Sequence, residues 1–99
     1  MGSEPNEHER WRIAQSVAWT TSGNDVVVLD LDLPTPTPMV LGQSAAYIWE
    51  EIALGGPLTT HMLTQRVASA YEVEEDVVRD DVLGLLVTLV EQRLIVSDS

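Results

Sequence analysis

The chain has 99 residues, 44% hydrophobic and 21% charged, which suits one domain built around one core. Sixteen acidic residues stand against five basic ones, all arginine (Arg10, Arg12, Arg66, Arg79 and Arg93), and the formal net charge is −11. A field of that sign repels nucleic-acid phosphates and disfavours anionic membrane surfaces, so neither nucleic acid nor membrane is expected as a partner.

Met1–Glu9 is polar and reads, with Arg10, as a flexible tail over residues 1–10, ahead of a single domain over 11–99. Trp11–Thr20 alternates, with Trp11, Ile13, Val17 and Trp19 on one face, as in a half-buried strand. Ser22-Gly23-Asn24-Asp25 is a turn signal. Val26–Leu33 reads as a second strand, with Val27, Leu29, Leu31 and Leu33 on one face. Val26, Val28, Asp30 and Asp32 form the other face, whose acidic end reads as solvated. Pro34-Thr35-Pro36-Thr37-Pro38 lacks the donors a central strand needs and is read as an extended loop. Met39-Val40-Leu41 is a short third strand behind it.

Gly42-Gln43-Ser44 then opens a helix over Ser44–Ala53, with Ala45, Ile48, Trp49 and Ile52 on one stripe. Gly55-Gly56-Pro57 ends it. Thr59 or Thr60 caps a second helix, whose Leu63, Val67 and Ala70 share a face. After Tyr71-Glu72-Val73, the longest helix runs over roughly Glu74–Arg93, its acidic first turn matched to the helix dipole. Leu94-Ile95-Val96 is a final extended segment expected to dock on the body. The fold class expected is α+β, winged-helix-like, with a three-stranded antiparallel sheet followed by three helices that cover it.

The last helix carries more apolar surface than one buried stripe needs. Val78, Val82, Leu85, Leu86 and Leu89 suffice to face a core, and Leu83, Val87 and Val90 widen the stripe past half the circumference. Either the helix is buried on two sides or one side awaits a partner. The short third strand, placed after a proline-rich loop, suits a sheet edge whose unpaired N–H and C=O groups can template another strand. Strand addition to such an edge is a general mode of peptide recognition.

No catalytic constellation is visible. His8 and His61 are too few and too far apart for a metal site or a base–nucleophile pair. Gly55-Gly56 is a helix stop, not a phosphate loop, and the carboxylates of Glu72–Asp81 lack calcium-loop spacing. No cofactor, metal or enzymatic activity is therefore expected. The absence of cysteine excludes disulfide and thiol chemistry. It fits a cytoplasmic location, as does the lack of a secretion signal or of the roughly 18 consecutive apolar residues that span a bilayer.

The sequence resembles the PqqD-like family, the recognition domains of ribosomally made, post-translationally modified peptide pathways. The similarity runs over roughly Arg12–Val96. It is carried by Val27-Val28-Leu29-Asp30-Leu31, by Val40-Leu41-Gly42-Gln43-Ser44-Ala45-Ala46-Tyr47-Ile48-Trp49, and by Asp81-Val82, Leu85-Leu86, Leu89, Arg93 and Leu94-Ile95. Gly42-Gln43 departs from the family, which commonly has Asn and an acidic or polar residue there. The resemblance implies that the leader segment of a precursor peptide adds as a strand beside the third strand and packs on the third helix. The edge would be Pro38, Met39, Val40 and Leu41, and the helix wall Val78, Asp81, Val82, Leu85 and Leu86. Leu41 and Leu85 fit a purely core role equally well.

Within the family, the short stand-alone form is most similar to the leader-binding protein of lasso peptide biosynthesis. That implies a monomer when free, and a leader peptidase and cyclase as further partners. The alternative within the family is the precursor chaperone of pyrroloquinoline quinone synthesis. A winged-helix transcription factor would need a basic recognition helix, which Glu74–Arg93 is not. A homodimerisation module would use the same apolar helix face.

Overall fold

The computed structural model describes residues 9–97. Its elements are β1 (Arg10–Ile13), β2 (Val17–Ser22), β3 (Asp25–Asp30), β4 (Met39–Leu41), α1 (Gln43–Gly55), β5 (Leu58–Thr59), α2 (Thr60–Tyr71), α3 (Glu75–Glu91) and β6 (Ile95–Ser97). The expected order of strands and then helices is present, but the strands divide into two small antiparallel sheets, β2-β3-β4 and β5-β1-β6. Apart from Glu9, the tail expected over Met1–Glu9 lies outside the described residues, and regular structure begins at Arg10.

The strand expected over Trp11–Thr20 is two strands. The chain turns at Ala14-Gln15-Ser16, where the Val17 amide donates to the Ala14 carbonyl at 3.2 Å. Before the turn, β1 pairs with β6 and β5; after it, β2 pairs with β3. The second expected strand stops at Asp30, because the Asp30 carboxylate accepts the Asp32 amide at 3.0 Å and folds the chain into a turn.

Register fixes the faces of the larger sheet. Trp19, Val28 and Met39 stand abreast, as do Thr21, Val26 and Leu41, and Val26, Val28 and Leu41 are buried. The core face of β3 is therefore the Val26-Val28-Asp30 face. The end read as a solvated acidic face is corrected here for Asp30, which is only 7% exposed. Burial of that carboxylate is tolerated because it accepts the Ser16 hydroxyl at 2.9 Å as well as the Asp32 amide. Thr20, Val27 and Val40 stand abreast on the outer face, and Leu31 and Leu33 are exposed in the loop beyond.

The three helices cover the core face. Ala46, Ile48, Trp49 and Ile52 of α1 are buried, and the Trp49 ring meets Trp19 of β2 edge-on at 6.4 Å between centroids. Thr59 caps α2 by accepting the Met62 amide, and Leu63, Val67 and Ala68 are its buried apolar residues, so Ala68 takes the place expected for Ala70. The α2 C-terminus closes on Glu72 in the left-handed region, with the Val73 amide donating to the Ala68 carbonyl at 3.0 Å. Helix α3 buries Val78, Val82, Leu86 and Leu89, and β6 returns to pair with β1.

Candidate functional site

Two features meet at one end of the molecule. The first is the edge of the larger sheet. Within that sheet β4 pairs with β3 alone, so its other side is open, and alternate residues turn N–H and C=O groups outward there. Val40 is 64% exposed, whereas Leu41 is buried and Met39 half-buried. No charged residue occurs from Leu33 to Ser44, so this wall is electrically neutral.

The second feature is a cavity of about 80 Å³ where the three helices converge. Helix α1 contributes Ser44 and Ile48, α2 contributes Val67 and Tyr71, and α3 contributes Val78, Asp81 and Val82. Ser44 lies three residues beyond Leu41, so the chain leaving β4 reaches the cavity in the first turn of α1. Tyr71 is 47% exposed and stands 6.4 Å from the Tyr47 ring. The Tyr47 hydroxyl donates to the Arg66 carbonyl at 3.4 Å, and Arg66 pairs with Glu51 at 2.6 Å. Burial, and then the negative charge of Glu51, push the Tyr47 phenol above its usual pKa, against the opposing charge of Arg66.

Of the wall residues expected on α3, Val78, Asp81 and Val82 share this cavity. Leu85 lies half-buried against the core, and Leu86 is fully enclosed, so Leu86 supports the helix from behind. The edge residues Pro38 and Val40 are exposed and do not line the cavity. Ser44, Ile48, Val67 and Tyr71 were not singled out as site residues by the sequence. Ile48 and Val67 look like any core position there, and Tyr71 looks like linker.

Charge is distributed unevenly around this end. Six carboxylates lie between Glu72 and Asp81 against the single Arg79, whose Nη1 is 3.8 Å from Asp76. Glu75 and Asp76 sit in the first turn of α3, where the helix dipole favours them. Among the described residues no group of three or more His, Asp or Glu side chains is placed to hold a metal ion. No helix among them is long and apolar enough to cross a membrane.

The elements together define a small α+β domain of three helices and two three-stranded antiparallel sheets. The chain belongs to the PqqD family: residues 25–95 match the profile of coenzyme PQQ synthesis protein D (PqqD). Two solved structures share the fold. TbiB1 in complex with the TbiA(beta) leader peptide matches with a TM-score of 0.75 and 23% identity, over 85% of this chain and 93% of that one. The second is the solution NMR structure of the PqqD truncation of Methylobacterium extorquens PqqCD, a functional, stand-alone recognition element for ribosomally synthesized and post-translationally modified peptides. It matches with a TM-score of 0.73 and 18% identity, over 93% of this chain and 94% of that one. No curated protein matches the chain.

Proposed function

We propose that this protein binds the leader segment of a ribosomally made precursor peptide and presents it to modifying enzymes without itself catalysing a step. The observation that carries the reading is the open edge of β4, whose chain runs on into the apolar cavity at Ser44. The leader adds as an antiparallel or parallel strand along Pro38, Met39, Val40 and Leu41, giving main-chain hydrogen bonds. Its side chains on one face pack toward Val78, Asp81 and Val82, with Leu85 continuing the wall and Leu86 backing it. Membership of the PqqD family and the leader peptide bound by TbiB1 support this reading.

The narrower reading is delivery of the leader to a leader peptidase and a cyclase in cytoplasmic lasso peptide biosynthesis, by a protein that is monomeric when free. It is supported by the likeness to TbiB1, a structure with a leader peptide bound. The family profile itself favours a second reading, a precursor chaperone of pyrroloquinoline quinone synthesis. Anisotropy of a fluorescent leader, taken from a small open reading frame beside the gene, tests the function. Saturable binding at micromolar or tighter levels is expected, and its absence in a folded sample would remove the reading. The precursor that binds discriminates between the two pathways.

A further inference from the structure

We infer that the occupant of this groove carries a basic side chain within two positions of an apolar one, and that Asp81 is the residue that reads it. The inference rests on the leader-binding reading and narrows the class of peptide.

The two walls of the groove differ in charge. The β4 wall is neutral, while α3 presents its carboxylates from Glu74 through Asp81. Asp81 is the one charged residue that lines the apolar cavity. It has neither a hydrogen-bond nor an ion-pair partner among the described residues, whereas Asp76 already has Arg79 nearby. The cavity beside it is otherwise formed largely by Ile48, Val67, Val78 and Val82. A side chain filling the part of that space away from Asp81 is apolar, because the aliphatic walls there offer an ion no partner.

Spacing then places the cation. Side chains on one face of an extended peptide recur about every 6.6 Å, and α3 spans roughly 10 Å of axis from Glu74 to Asp81. A residue two positions from the apolar anchor therefore lies about 6.6 Å from a side chain seated beside Asp81, within reach of a long basic side chain. An arginine or lysine there finds Asp81 and its neighbours, whereas an acidic residue meets like charge. The overall charge of −11 acts in the same direction on approach.

The test is a display library of random 12-residue peptides, selected in parallel on the full 99-residue chain and on its Asp81→Asn variant. Asp81 is exposed and unpartnered, so the variant is expected to melt with the parent. Peptides selected on the parent should share an apolar residue with Lys or Arg two positions away. The variant should keep the apolar preference and lose the basic one. A labelled selected peptide should bind the parent about threefold less tightly when its basic residue becomes norleucine, and less so at high salt. The variant should show no such difference. Selected peptides with an apolar anchor but no basic residue, or a basic preference that survives in Asp81→Asn, would overturn the inference while leaving the groove in place. Enrichment of no peptide at all would overturn the groove as well.

Discussion

The indole Nε1 of Trp11 donates to Thr60 Oγ1 at 2.9 Å, joining β1 to the first turn of α2 across 49 residues of sequence. Both residues are buried, and β1 is also the central strand of the sheet that holds β5 and the returning β6. The bond fixes the base of α2, whose far end supplies Val67 and Tyr71 to the cavity. Thr60→Val keeps the shape but strands the indole donor, which should cost about 1–3 kcal/mol in urea unfolding. A variant as stable as the parent would show that the bond contributes nothing net.

Tyr47 should give the fold an alkaline limit. Its phenol holds its proton to higher pH in the folded chain than in the unfolded one, chiefly because it is partly buried and secondly because Glu51 is close. A raised folded pKa contributes stability that is complete below the unfolded value of about 10 and is lost as pH rises through the folded value. Melting temperatures followed upward from neutral pH should therefore fall more steeply above pH about 10 in the parent than in Tyr47→Phe. Parallel curves would contradict the shift.

Gly84 sits in the middle of α3, exposed, and a methyl group built there would meet nothing within 4 Å. Gly84→Ala should therefore raise stability by about 1 kcal/mol through helix propensity alone, measured by thermal melting. A loss of stability would contradict the open space around Gly84.

Two valines of α3 separate binding from folding. Val78 lines the cavity and, at 9%, is more exposed than Val82, so a lysine there has a path by which to extend its amine to water. Val78→Lys should leave a folded protein whose leader affinity falls about tenfold, a change of about 1.4 kcal/mol. Val82 is 1% exposed, and an aspartate in its place would bury an unpaired charge. Val82→Asp should unfold most of the sample as seen by circular dichroism, which makes it a test of the core and not of the site. A folded, fully binding Val78→Lys protein would remove α3 from the proposed wall.

Helical periodicity made α1, α2 and α3 legible in the sequence, and α3 proved to have both its buried stripe and exposed apolar flanks such as Val77 and Val90. The break between β1 and β2 was not legible. Ala14-Gln15-Ser16 contains neither Gly nor Pro, and the alternation of Trp11, Ile13, Val17 and Trp19 stays in phase across it. The burial of Asp30 depends on Ser16, fourteen positions away, a pairing that local pattern cannot reveal. The cavity was half legible: Val78 and Val82 fall on the apolar stripe of α3 and Asp81 was implied by the family resemblance, but Ser44 and Tyr71 join them only through the crossing of three helices.

The leader peptide is proposed to add to the open edge of β4 and to pack on α3. Amide chemical shifts of the isotope-labelled chain, followed by heteronuclear NMR while unlabelled leader is added, test it most directly. Strand addition should give saturable shifts at Met39–Leu41 and along Val78–Leu85, with cross-strand contacts between peptide and β4 amides. Shifts confined to the outer face of the sheet around Thr20 and Val27, or to α1 away from Ser44 and Ile48, would contradict it.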